Sequence, residues 1–191
     1  MFFKFRQSTI EEVKTSCPGF FLDSRHFASQ FEFMTKSSSR DEPINNNFRA
    51  QMDLMKKLVE HEFRDDVATL ELVRQAGVSC GIERGGNRTL QDIRILRLTG
   101  NLLDKSGAEL FRLKEDKSPE SKQPYIACIE DEDRKTFTFN IVVERKPLIE
   151  GLGDIQAAIS CFIHVVFIFN LKFPKGEKGP SICTRFLYKP F

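Results

Sequence analysis

The 191-residue chain has no tryptophan and two tyrosines, set against 19 phenylalanines. Phenylalanine has no polar handle, so it suits packed interiors better than the half-wet stacking surfaces that tyrosine and tryptophan serve. A Phe-rich core is the expectation, and a base-stacking platform is disfavoured. Charge of one sign is lacking too: 29 basic and 27 acidic side chains leave a net charge of +2. A dedicated polyanion binder would carry a clear cationic excess. The five cysteines, Cys17, Cys80, Cys128, Cys161 and Cys183, are odd in number and never spaced CxxC. That excludes a secreted disulfide framework and points to reduced, mostly buried thiols in the cytoplasm or nucleus.

The apolar stretch at the start, Met1 to Arg6, is too short for a secretory core. The run from Ala157 to Leu171 falls short of the ~20 residues of a spanning helix and contains Ser160, His164 and Asn170. It reads as a buried helix, so no membrane association is expected.

Catalytic and metal motifs are equally sparse. The three histidines, His26, His61 and His164, are isolated in sequence. His61-Glu62 opens like HExxH, but Asp65 stands where the second zinc ligand belongs, and the two-ligand helical face is missing. His164 reads as a hydrogen-bonded core histidine. The glycine-rich stretch Gly81 to Arg88 lacks both the Gly-Lys-Ser/Thr ending of a phosphate loop and GxGxxG spacing, so it reads as a turn. Glu130 to Asp133 lacks the alternating ligands and central glycine of an EF-hand and reads as a solvated hairpin tip. Asp65-Asp66 reads as a helix cap before a two-carboxylate centre. There is no GxSxG elbow, and no cysteine is paired with a histidine by sequence. The expectation is a protein that is not an enzyme and uses no cofactor or metal.

What is present is periodicity. Ser8 with Glu11 offers a capping box for a helix to about Lys14, broken by Cys17-Pro18-Gly19. Phe27, Phe31 and Met34 share one face of a helix over 24–34. Ser37 to Pro43 and Asn45 to Asn47 read as a breaker-rich linker. From Asn47 to Ala76, Met52, Met55, Val59, Phe63, Val67, Leu70 and Val73 recur at helical steps, with Gly77 placed as C′ and a division possible at Arg64-Asp65-Asp66. Thr89 to Leu103 is ambiguous: Thr89 with Asp92 suggests a helix start, while Asp92 to Ile95 alternates like a strand. Glu109 to Glu115 reads as a strand, followed by a charged connection to Gln123.

The C-terminal third is the clearest. Tyr125 to Ile129 and Thr136 to Val143 read as strands joined by a polar turn, an antiparallel hairpin with Phe137, Phe139, Ile141 and Val143 on one face. Gly151 to Gly153 releases the chain, and Asp154 caps a helix ending near Asn170. It is apolar almost all round, so it must be buried on most sides or covered by a partner. Its β-branched tail, Val165 to Phe169, leaves a strand as the alternative there, and Ser181 to Tyr188 could add a short helix.

Pro124-Tyr125-Ile126, Phe137 to Val143, Asp154 to Phe169, Asn170-Leu171-Lys172-Phe173-Pro174-Lys175 and Phe186-Leu187 together resemble the terminal segment of a family of uncharacterised vertebrate proteins. That family is associated with mobile elements and sometimes labelled sterile-alpha-motif-containing-like. The resemblance covers about a third of the chain and implies no catalytic residue.

These readings give an α+β fold: a helical N-terminal half, and a C-terminal antiparallel β-hairpin packed on a buried helix. The expected divisions are 1–45 (helical segment and linker), 46–118 (mainly helical) and 119–191 (hairpin plus buried helix). The leading functional expectation is a non-enzymatic intracellular interaction or accessory module, meeting a protein partner or a second copy through the apolar C-terminal helix. The alternative is a nucleic-acid-associated protein of mobile-element origin. Lys172, Lys175 and Lys178, with Arg84 and Arg88, are its nucleic-acid-binding candidates, although such spacing more often marks a solvated face.

Overall fold

A computed structural model describes residues 9–35, 42–78, 86–103, 110–113, 123–131 and 136–171. The fold is α+β. In chain order come α1 (Ile10–Ser16), a 3-10 turn (Pro18–Phe21), α2 (Ser24–Thr35), α3 (Glu42–Glu62), α4 (Val67–Val78) and α5 (Gly86–Leu103). There follow β1 (Phe111–Arg112), β2 (Tyr125–Asp131), β3 (Thr136–Val143), β4 (Lys146–Leu152) and α6 (Ile155–Ile168).

Capping chemistry starts α1 one residue later than expected. Thr9, not Ser8, is the N-cap: its hydroxyl accepts from Glu12 N at 3.2 Å, and Glu12 Oε2 accepts from Thr9 N at 2.7 Å. This register turns Val13 into the core. The expected linker is partly helix, since α3 already begins at Glu42 and runs through Pro43 and the three asparagines. Proline is tolerated in a first turn, where its missing N–H has no intrahelical acceptor anyway. The weak helix propensity of asparagine is outweighed by Phe48, Met52, Met55 and Val59, all buried at helical spacing. The chain breaks between Glu62 and Val67, as Arg64-Asp65-Asp66 suggested. Asp66 caps α4, its carboxylate accepting from Thr69 N at 3.1 Å and from the Thr69 hydroxyl at 2.6 Å. The break interrupts the apolar stripe, so Val67 is 72% exposed. Gly77 lies inside the last turn of α4 and not at C′.

The ambiguous stretch is helix. In α5, Asp92, Ile93, Leu96 and Thr99 are buried, a spacing of one, three and three that only a helix puts on one side. The expected strand over 109–115 is described at Phe111–Arg112, which pairs parallel to Ile126–Ala127 of β2. Of the expected turn at Gly81 to Arg88, Gly86, Asn87 and Arg88 form the start of α5 instead, and the remainder lies outside the described residues, as does the expected terminal helix over 181–188.

The hairpin is one half of a three-stranded meander. β2 and β3 pair antiparallel from Tyr125↔Val142 to Asp131↔Thr136, and β4 adds to the far side of β3, giving the order β1-β2-β3-β4. Glu144 and Arg145 join β3 to β4 with φ of 53° and 66°. Two consecutive positive φ values are what a two-residue hairpin turn of the I′ kind requires, and they are uncomfortable for non-glycine residues. β4 is irregular twice. Between Phe139↔Leu152 and Ile141↔Ile149, Glu150 and Gly151 stand opposite the single Asn140. Gly151 there has φ 73°, and its N–H donates to Asn140 Oδ1 at 2.9 Å. A second irregularity leaves Leu148 as the extra residue between Ile149 and Pro147, so Leu148 and Ile149 are both buried although adjacent. Edge pairing is discouraged: β1 is two residues long, and β4 carries Lys146, Pro147 and these bulges.

α6 begins at Asp154, whose carboxylate accepts from Ala157 N at 3.0 Å. It ends with Asn170 at φ 49°, Leu171 N donating to Val166 O at 2.9 Å and Asn170 N to Phe167 O at 3.3 Å. That is the left-handed stop of a Schellman motif, and it settles Val165 to Ile168 as helix. Ten of the fourteen α6 residues are buried. The sheet covers one side and α2 and α3 cover the others, while α5 lies on α3, α4 and β3. One cluster of buried side chains runs from Val13 to Phe169 and includes eight phenylalanines below about a tenth exposure, among them Phe27, Phe139 and Phe162 at 0%.

Replacing the strained pair, Glu144→Asn with Arg145→Gly, should raise unfolding stability by about 1 kcal/mol. Chemical denaturation checks this; an unchanged or lower midpoint would contradict the positive-φ turn.

Candidate functional site

Besides Gln30 on α2, which is 4% exposed, two places bring polar groups into the interior. The first lies between α3 and α5. Asp92 is 5% exposed and accepts from Arg49 Nη1 at 2.6 Å, while Arg49 itself is about half exposed. Burial pushes the Asp92 carboxyl above its ordinary range; the Arg49 hydrogen bond and charge and the more distant Arg88 pull it back, and Asp53 adds to the rise. A shared 2.6 Å hydrogen bond with a raised carboxyl means that desolvation outweighs the partner. Thr99, two turns along α5, is fully buried, and its hydroxyl has no hydrogen-bond partner.

The second lies on α6. His164 is 3% exposed, its ring centroid 4.6 Å from that of Phe31 on α2. It is a core histidine, as expected, but its Nε2 has no hydrogen-bond partner. Burial alone pushes the imidazole down to about 4. Cys161, one helical turn earlier, is also buried, and its thiol is pushed up to about 12. A catalytic thiolate–imidazolium pair needs the opposite displacements, a low thiol and a high imidazole. Both groups are held neutral, which suits packing and leaves neither able to act as nucleophile or base at neutral pH. Gln156, two turns before His164, also has a buried amide nitrogen without a partner.

The other sequence candidates are spread over the surface. His26 is exposed and stacks on Phe20 at 6.2 Å. His61 is exposed beside Glu62, Nδ1 to Oε1 at 3.2 Å. Asp65 faces solvent, 3.5 Å from Arg64, whereas Thr69 holds the Asp66 carboxyl below its ordinary value; the pair is a cap and a surface charge. Cys17, Cys128 and Cys161 form no disulfide. Of the five basic candidates, Arg88 is exposed on α5 with its charge felt at Asp92. Lys172, Lys175, Lys178 and Arg84 lie outside the described residues, as do Cys80 and Cys183. Among the described residues no group of three His, Cys, Asp or Glu could hold a metal ion, and no helix is long and apolar enough to cross a membrane.

No family model, no curated protein and no solved structure matches this chain.

Removing one member of the α3–α5 pair should have unequal effects. Asp92→Asn keeps an acceptor for Arg49 and removes a buried charge, so stability should stay within about 1 kcal/mol. Arg49→Leu strands the buried carboxylate and should cost about 2–3 kcal/mol at pH 7. A raised carboxyl favours the protonated form in the folded state, so that loss should shrink as the pH falls through the carboxylate range. Urea titrations at pH 7 and pH 4 read both; equal losses at the two pH values would contradict the burial of Asp92.

Proposed function

We propose that this chain is a non-enzymatic intracellular interaction module that engages a protein partner, and that α4 supplies the contact. α6, where the sequence invited a partner, is enclosed by other parts of the same chain, with Phe167 its main exposed apolar residue at 36%. The apolar surface left over is elsewhere, at single positions such as Leu22, Phe33 and Leu54 and at two positions on α4. α4 packs against α5 and turns Val67 and Leu72 outward, 72% and 53% exposed. Val67 and Leu72 project from α4 about 140° apart around its axis, and each leaves an apolar side chain in water that a partner would cover. This pair of exposed side chains is the observation that carries the reading. The charge balance agrees with it, because a near-neutral chain has no long-range attraction for polyanions.

The experiment combines an apolar-surface dye with light scattering on the purified chain. The wild-type protein should bind the dye or self-associate as concentration rises. Leu72→Glu should weaken that behaviour while shifting stability by no more than about 0.5 kcal/mol, as expected for a surface site. A dye-silent monomer whose behaviour Leu72→Glu leaves unaltered would remove the reason for a partner at α4.

A further inference from the structure

α2 lies along α6, and aromatic rings meet where the two helices touch. Phe31 touches both the His164 imidazole, at 4.6 Å between centroids, and the Phe167 ring, at 5.0 Å. Phe21, just ahead of α2, stacks on Phe169 at 6.2 Å. Beyond this seam, the N-terminal segment is tied to the sheet by the exposed Glu11–Lys146 pair at 3.4 Å, a contact of little strength in water. The seam thus carries much of what holds α1 and α2 to the molecule, and it contains one group that can change its charge.

We propose that His164 is an acid-sensitive latch: protonation of its buried, unpartnered imidazole releases the α1–α2 segment from α6. An imidazolium must be hydrogen-bonded or hydrated at both nitrogens, and Nε2 is buried with no acceptor in the protein. The Phe31 ring offers a cation some attraction, much less than the hydration it would lose.

The charged groups on the packed elements do not rescue it. On α2, Arg25 is engaged by Asp23 at 2.5 Å, His26 is at the surface against Phe20, and Glu32 is half-buried. On α3, Arg49 is committed to Asp92, while Asp53, Lys57, Glu60, His61 and Glu62 are exposed and Lys56 is half-buried. β2 contributes the half-buried Tyr125, the buried Cys128, and Glu130 and Asp131 at its far end; β4 contributes the exposed Lys146 and Glu150, and β3 carries no titratable residue. On α6 itself, Cys161 stays neutral. None of them shifts His164, which burial alone governs.

The direction follows from linkage. The closed seam holds the imidazole at about 4, against 6.5 when it is exposed. The opened state therefore takes up the proton first. The latch is fully closed above the exposed value and weakens as pH falls from 6.5 toward 4. Between pH 7.5 and pH 5 the opening equilibrium should rise about thirtyfold.

Hydrogen exchange, corrected for intrinsic rates, reads this on the full chain. Amides of α2 should gain about thirtyfold in opening while those of β2 and β3 do not follow. His164→Phe should abolish the acid response, and His26→Gln and His61→Gln should retain it. A parallel reading uses the wild-type protein only: the His164 ring signals in NMR should titrate near 4, while the opening of α2 has already risen by pH 5. An imidazole titrating at its ordinary value, an acid response surviving in His164→Phe, or a rise shared equally by β2 and β3 would each overturn the latch.

Discussion

A helix that is apolar on every side has to be enclosed, and most of the fold is arranged to enclose α6. The core face of the meander, with Ile126, Phe139 and Ile141 at 0% exposure, covers one flank. Phe31 of α2 meets another, and α3 lies along a third. Both ends of the helix are stopped by short polar devices, the Asp154 cap and the left-handed Asn170. At about 25 cal/mol per Å² of apolar surface removed from water, a helix of this composition supplies a large part of the driving force for bringing the other elements together.

Enclosure also sets the chemistry. Once α6 is surrounded, its thiol and its imidazole are pushed in opposite directions, each toward its uncharged form. The Arg49–Asp92 pair shows the intermediate case, in which a half-exposed guanidinium keeps a buried carboxylate supplied with a partner without cancelling its desolvation. The interior is built for packing, with ionisation tolerated at its margin. The abundance of phenylalanine fits that design, because benzyl rings add area without adding donors or acceptors to satisfy.

Much of this was legible before any coordinates. The β2–β3 pairing, the Asp154 cap, the Phe27–Phe31 face of α2 and the division near Asp66 all rest on local signals, alternation or capping or period, and those signals held. β4 escaped because its signals are suppressed. Glu144-Arg145 lacks the Asn-Gly or Asp-Gly that marks a tight hairpin, Pro147 argues against a strand, and two bulges spoil the alternation by burying neighbours Leu148 and Ile149. α5 was ambiguous because Ile93 and Ile95 alternate, and only its packing on α3 and α4 decides the period. The polar candidates were less legible than the elements. His164 could be read as a core residue, but its lack of a partner at Nε2 depends on what α2 brings against it, some 130 positions earlier in the chain. The exposure of Leu72 likewise follows from which helices leave α4 uncovered, a tertiary fact with no local mark.

The distance between Phe31 and His164 along the chain also governs the order of events during synthesis. α2 leaves the ribosome well before α6, by on the order of ten seconds at ordinary elongation rates. Throughout that interval Phe27 and Phe31 have no α6 to cover them, whereas β2, β3, β4 and α6 emerge together and can pair with near neighbours. The seat of α2 on α6 is therefore completed only after the C-terminal unit has been made.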